Sequence, residues 1–235
     1  MVDERFERVL ADAVRDLDAQ TDPPHTLQRL VELTPEFFPA CDFVGVSLIE
    51  RGEVRTPAGT NERLRALDES QYEIGQGPCR DAIRTHSTVV VHDLATDPRW
   101  PSWGRAMVSE LGIRSSLSFR LFTRPDRTWG ALNVYSTEID GFSDEDVVQG
   151  QTIAALAAVA LARSINDEQL ASALQTRTTI GQAIGIVMER YQLDADHAFS
   201  VLRRISSQDN LKLRDLAAQV VATREVPHRH TPTES

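Results

Sequence analysis

What this 235-residue chain has little of narrows its function first. It holds one lysine, Lys212, among 25 basic residues, so arginine carries nearly all of its positive charge. Its two cysteines, Cys41 and Cys79, are too far apart for a zinc-ligand or Cys-x-x-Cys spacing. In a reducing compartment they read as buried thiols, with a redox pair as the lesser alternative. No segment reaches the run of about 18 uncharged apolar residues that a membrane helix needs. The opening MVDERFERVL is acidic and amphipathic and lacks an apolar signal core, so a cytoplasmic protein without a membrane partner is expected. Gly75-x-Gly77 lacks the third glycine and the strand-to-helix setting of a phosphate-binding loop. No nucleophile and base stand in a recognisable pattern, so no enzyme is expected, and no spacing suggests a metal site.

What is present is ordinary for a globular protein: 41% hydrophobic and 26% charged residues. The net charge of −10 is unevenly spread. Residues 1–165 carry 17 arginines against 26 acids, a net of −9, whereas residues 166–225 carry 7 basic against 8 acidic groups, a net of −1. An acidic chain argues against nucleic-acid binding, because phosphate neutralisation usually dominates that affinity. The acids concentrate in the first part, which leaves room for a local basic face in the second.

The periodicity predicts a helix over residues 2–20, with Phe6, Val9, Leu10, Ala13 and Leu17 on one side. Asp22-Pro23-Pro24 ends it, and a second helix runs through Leu27, Leu30, Val31 and Leu33. The period then becomes two in Phe43–Ile49, which Arg51-Gly52-Glu53 turns back into Val54–Thr56. A short helix is expected over Asn61–Leu67, another over Asp81–Thr85, and strands over Thr88–Val91, Ser116–Phe122 and Trp129–Tyr135. About five strands with helices before, between and after them predict an antiparallel α+β sheet domain.

From residue 169 onward the pattern is helical. Leu170, Leu174, Ile180, Ile184 and Met188 mark one helix that runs to about Tyr191. Asp194 reads as the N-cap of a second, striped by Ala195, Ala198, Phe199, Leu202 and Ile205. Ser206–Asn210 reads as a connector of helix-breaking residues, and Leu213, Leu216, Ala217, Val220 and Val221 mark a third helix that ends before Pro227. Gly181 and Gly185 each cost about 1 kcal/mol inside a helix relative to alanine, and close approach of another helix is the expected compensation. Arg203, Arg204, Lys212 and Arg214 gather around the connector, with Arg177 and Arg190 on the first helix. The same arginines also fit a solvated face whose alkyl stems cover the core.

Those residues carry a resemblance. Arg177, Ile180-Gly181-Gln182-Ala183, Gly185-Ile186-Val187-Met188, Ala198-Phe199, Leu202-Arg203, and Asn210 with Lys212-Leu213-Arg214-Asp215 resemble the ANTAR family of RNA-binding antitermination domains. One position departs: many relatives carry lysine where this chain has Ile184. The resemblance implies binding to paired hairpin loops of a nascent leader RNA, which competes with a terminator. Unstacked loop bases need planar and hydrogen-bonding groups, and phosphates need cations. The expected RNA-binding residues are Lys212 and Arg214 foremost, then Arg203, Arg204, Gln182, Tyr191, Arg177 and Arg190, with Asn210 as a cap.

A second resemblance lies upstream, in Gly75-Gln76-Gly77, His92-Asp93-Leu94, Gly112-Ile113-Arg114-Ser115-Ser116, Gly130–Tyr135 and Phe142-Ser143-Asp144-Glu145-Asp146. These are similar to GAF sensory domains, which implies that fold and a pocket between sheet and loops for a small molecule of unknown identity. Cys79, His86, His92, Trp100, Trp103, Arg114, Ser116 and Asn133 are the candidate pocket residues, each of which also has a purely structural reading. No cofactor is identifiable.

The expected domains are an N-terminal helix over 1–23 for dimerisation or packing on the sheet, a GAF domain over 24–165, a three-helix ANTAR domain over 166–226, and a disordered tail over 227–235. Ser143 and Asp146 resemble a capping box that starts a long helix, and no proline interrupts it before residue 169. The expectation is a nearly continuous helix from sensor to RNA-binding module in a homodimer, against a kinked connector with independent domains. Three readings compete: a helix-turn-helix binding DNA, disfavoured by the five-residue connector; an enzyme acting on its GAF ligand; and a protein-interaction bundle.

Overall fold

The computed structural model describes residues 4–50, 52–124 and 126–226. The expected tail with His228 and His230, and Arg51 of the first hairpin turn, lie outside the described residues. The chain divides into two compact units, Met1–Glu168 and Gln169–Ser235.

The first unit is built on a five-stranded antiparallel sheet. Helix α1 (Glu4–Asp18) is followed by α2 (Pro23–Leu33), whose N-cap Asp22 accepts from the His25 backbone amide at 3.0 Å. Strands β1 (Phe43–Glu50) and β2 (Glu53–Gly59) form a hairpin. Helices α3 (Glu62–Ile74) and α4 (Pro78–Thr85), the short strand β3 (Val89–Val91) and helix α5 (Pro101–Leu111) follow. Strands β4 (Ser115–Arg124) and β5 (Arg127–Ser136) complete the sheet in the order β2-β1-β5-β4-β3.

Alternation along the strands builds a core on each face. Val44, Val46, Leu117, Phe119, Leu132 and Val134 pack with Leu17, Leu27, Leu30 and Phe38, and with Ile153, Ala157 and Leu161 of the helix that follows β5. On the other face Leu64, Leu67, Trp103, Met107, Ile113 and Tyr135 form a second cluster under α3–α5.

In the first unit, helices α3 and α5 differ most from the sequence reading. Helix α3 continues past Leu67 to Ile74 because Asp68 and Gln71, polar residues on its buried face, interrupt the apolar stripe without ending the helix. It stops at Gly75, whose φ of 73° is left-handed. Helix α5 was not anticipated, although Pro101 at its first turn and Gly112 just past its end are its natural punctuation.

Helix α6 spans Asp144–Tyr191, 48 residues. Its start is a reciprocal cap: the Ser143 amide donates to Asp146 Oδ2 at 2.7 Å, and the Asp146 amide donates to Ser143 Oγ at 3.2 Å. By length and composition it is the one described helix able to cross a bilayer, contrary to the expectation that no segment comes close. Its apolar face at Ile153, Ala154, Ala157, Ala158 and Leu161 is instead packed on the sheet.

In the second unit, the end of α6 packs with α7 (Ala195–Gln208) and α8 (Leu213–Thr223) around Ala183, Val187, Ala198, Leu202, Leu216, Ala217 and Val220. Asp194 caps α7, accepting from the His197 amide at 2.8 Å. The α7–α8 connector is shorter than expected. Helix α7 runs through Ser206 and Ser207 to Gln208, so only residues 209–212 remain, with Asn210 left-handed at φ 52°. Leu170 and Leu174, expected in the bundle's stripe, are 60% and 57% exposed, because the packed face begins at Ile180.

Candidate functional site

The centre of the sheet face beneath α3 and α4 is polar. Asp68 of α3 is fully buried. Its Oδ1 accepts from the Tyr135 hydroxyl and, at 2.7 Å, from Gln71 Nε2; its Oδ2 accepts from Asn133 Nδ2 at 3.2 Å. Asn133 Nδ2 also donates to Ser47 Oγ at 3.3 Å, which lies 3.1 Å from Thr56 Oγ1. Gln71 Oε1 accepts from the Cys79 amide at 3.1 Å, and the Cys79 thiol lies 2.9 Å from the Tyr72 hydroxyl. Glycines make room: a Cβ on Gly45 would sit 2.4 Å from Asp68 Oδ2, and one on Gly77, at φ 142°, would strike Gln71.

Burial pushes the Asp68 carboxyl up to about 6, although its three donors pull the other way. Burial and then the Asp68 charge push Cys79 up to about 11, and burial and then Asp42 push Cys41 up to about 12. Both thiols are therefore protonated at neutral pH and lack the thiolate that a cysteine nucleophile requires. Among the described residues no group of three or more potential metal ligands occurs.

The structure brings three of the pocket candidates, Cys79, Ser116 and Asn133, onto or beside this network, with Ser116 paired across the ladder to Tyr135. The other five are held elsewhere. His86 ends α4 in a left-handed conformation and is exposed. His92 Nδ1 lies 2.7 Å from Asp140 Oδ1, also at the surface. Trp100 Nε1 donates to Asp81 Oδ2 at 3.1 Å, and Trp103 Nε1 donates to the Leu67 carbonyl at 2.8 Å, tying α5 to α4 and α3. Arg114 forms a forked pair with Asp93 at 2.9 and 3.0 Å, which holds the Asp93 carboxyl below its usual range.

Asp68, Gln71, Tyr72, Ser47, Thr56, Ser118 and Tyr135 were missed by the sequence reading. Asp68 and Gln71 had a signal: they follow Leu64 and Leu67 at helical spacing, on the side that burial should make apolar.

In the second unit, Lys212 is the N-cap residue of α8 and Arg214 lies in its first turn, 3.3 Å from Asp215 Oδ1. Arg203 and Arg204 are exposed on the last turns of α7, and Arg177 is exposed on α6. Lys212, Arg203, Arg204 and Arg177 form no ion pair among the described residues. Arg190 donates to the Arg224 carbonyl at 2.8 Å, capping the end of α8, so its first role is internal. Gln182 and Arg190 line a groove between α6 and α8 with Gly185, Ile186 and Val221. Tyr191 is half-exposed at the end of α6. A Cβ on Gly181 or Gly185 would meet nothing within 4 Å among the described residues, so these show no close approach of the kind expected to offset the glycines.

A five-stranded sheet clad by helices over a polar centre, joined by a long helix to a small basic-edged bundle, defines a sensor-and-effector protein. The chain belongs to the GAF domain family, whose model matches residues 20–162, and residues 168–221 match the ANTAR domain. It is a signal-responsive regulator of the GAF-ANTAR type. Among solved structures it resembles a free methionine-R-sulfoxide reductase from Neisseria meningitidis bound to its substrate, at 19% identity and TM-score 0.55, covering 71% of this chain and 95% of that one. It also resembles the GAF domain of a phosphoenolpyruvate-protein phosphotransferase from Coxiella burnetii, at 15% identity and TM-score 0.56, covering 70% and 97%. The corresponding domain from Acinetobacter gives 14% identity and TM-score 0.56, covering 72% and 99%. These likenesses establish the fold alone. No curated protein sequence matches significantly.

Proposed function

We propose that this protein is a cytoplasmic transcription antitermination regulator, in which the GAF unit receives a small-molecule signal and the ANTAR unit, in a homodimer, binds hairpin loops of nascent leader RNA. The observation that carries the reading is the set of exposed cations at the α7–α8 connector, Lys212, Arg203 and Arg204 without ion-pair partners among the described residues, inside a segment that matches the ANTAR domain. Such cations are free to neutralise phosphates, and Arg214 adds a planar group for stacking or hydrogen bonding to a base.

The test is binding of the full-length protein to a two-hairpin leader RNA and to a loop-scrambled control across a salt series. Lys212→Ala and Arg214→Ala should each weaken hairpin binding about tenfold. Equal, purely salt-driven binding to both RNAs would overturn the reading.

A DNA-binding reading gains from the short α7–α8 connector, which falls within the turn length of a helix-turn-helix. Selective binding of a promoter duplex over the hairpin RNA would favour it. The enzyme reading loses ground on the chemistry of Cys41 and Cys79, both held as thiols by burial.

A further inference from the structure

Beneath α4 the sheet carries hydrogen-bonding capacity that the folded chain does not use. Ser116, Ser118 and Asn133 are fully buried, and Ser116 Oγ, Ser118 Oγ and Asn133 Oδ1 have no partner among the described residues. Buried side-chain polar atoms are ordinarily paired, and three orphans on adjacent strands are an exception that needs a cause. They are neighbours by register: Ser118 faces Asn133 and Ser116 faces Tyr135 across the β4–β5 ladder.

The orientation of Asn133 is not free. An ionised Asp68 accepts only, so the NH2 end of the Asn133 amide must face it, and that end also meets Ser47. The carbonyl oxygen is thereby left as an acceptor with no donor. Asp68 itself is bonded only by neutral groups, Tyr135, Gln71 and Asn133, and forms no ion pair among the described residues. The site therefore combines an unmatched acceptor, two unmatched hydroxyls and one uncompensated negative charge behind them. Its complement is a ligand head with a positive charge and several N–H donors. An ammonium group is compact and carries three.

We infer that the floor formed by Ser116, Ser118 and Asn133, backed by Asp68, binds a small primary ammonium compound, the amine meeting Asn133 and Ser118 and a polar group on its tail meeting Ser116. The assignment rests on reading the first unit as a sensor and names the class of signal that it takes. The cover over the floor is α4, whose Cys79 and Ala82 are buried. It lies between left-handed bends at Gly75 and Gly77 on one side and His86 on the other, and displacement of this short helix opens a route to the floor beside α3.

The experiment titrates full-length protein with three size-matched probes: 3-amino-1-propanol, 1,3-propanediol and 3-hydroxypropanoate. Each is carried to about 50 mM, because so small a ligand has few contacts to offer. Thermal midpoint and calorimetric heat are the readouts. The amine should raise the midpoint in step with the logarithm of its concentration, with the diol and the acid inert. Ser118→Ala should keep the parent's circular dichroism and ligand-free midpoint, since its hydroxyl has no partner to lose, yet bind the amine about tenfold more weakly. Asp68→Asn should abolish selectivity for the amine over the diol; if that variant does not fold, Ser118→Ala and Ser116→Ala decide. No response to the amine, equal responses to all three probes, or undiminished binding by Ser118→Ala would each overturn the assignment. Hairpin RNA is titrated separately without amine, and its failure to bind would overturn the RNA reading while leaving the amine result to judge the site.

Discussion

Asp68 is a carboxylate buried from solvent without an ion-pair partner among the described residues, and it is held by three neutral donors. Its carboxyl is held at about 6, above the ordinary 3.8, so the folded chain binds this proton more tightly than the unfolded chain does. The sign follows directly: the stabilisation is full below pH 3.8 and is lost as pH rises through about 6. Its size is on the order of 3 kcal/mol. Tyr135, Tyr72 and Cys79, which face it, are all pushed up and stay neutral across that window. The lowered carboxyls of Asp93 and Asp194 act in the opposite sense and only at more acid pH. Urea denaturation between about pH 4 and 8 should show parent stability falling with rising pH, and Asp68→Asn should remove that slope. A flat parent profile would mean that Asp68 is not buried as described. At this scale the sequence was partly legible: Asn133 and Ser116 are polar residues at inward strand positions, whereas the partners of Asp68 come from β5 as well as from its own helix.

At the scale of the element, Gly181 and Gly185 are the informative pair. They lie in the packed stretch of α6, where alanine would be about 1 kcal/mol better at each, and a Cβ would meet nothing at either position. Gly181→Ala and Gly185→Ala should therefore each raise stability by up to about 1 kcal/mol in chemical denaturation. If RNA enters the groove lined by Gln182 and Gly185, Gly185→Ala should also lower hairpin affinity, since its added methyl fills that space. Stabilised variants with parental RNA affinity would remove this groove from the interface. The helical period identified the stripe of α8 and most of that of α7, as Ala198, Leu202, Leu216 and Val220 are buried, but Phe199 is 36% exposed. It overextended the α6 stripe to Leu170 and Leu174, because period reports an apolar face without saying how far a partner reaches along it.

At the scale of the whole molecule, the question is what α6 transmits. The exposed i, i+4 pair Leu170 and Leu174 presents an apolar strip that no described residue covers. We expect a second copy to cover it, so Leu170→Glu with Leu174→Glu should shift the protein from dimer to monomer in sedimentation equilibrium without loss of helix content. An unchanged mass would place the dimer contact elsewhere. Continuity of α6 from Asp144 to Tyr191 supports coupling of sensor to effector through the helix. Two alanines inserted between Ser164 and Glu168 would rotate everything downstream by about 200°. On the proposed function, control of antitermination in a reporter strain should then be lost or inverted; unchanged control would mean that the helix transmits no signal.

The sequence by itself determined the five strands, every helix but α5, the caps at Asp194 and Ser143, and the two family resemblances. Periodicity and capping are local, and each is written within a dozen or so neighbouring residues. Tertiary structure alone decided which polar groups share the interior. Tyr135 reaches Asp68 across 67 positions and Asn133 reaches Ser47 across 86, so no local pattern could announce them. It also decided that Trp103 anchors α5 on α3, that Arg190 caps α8, and that the two thiols are held protonated. The physical reason is the same in each case. A side chain's chemistry is set by what desolvates it and what it is hydrogen-bonded to, and both come from distant parts of the chain.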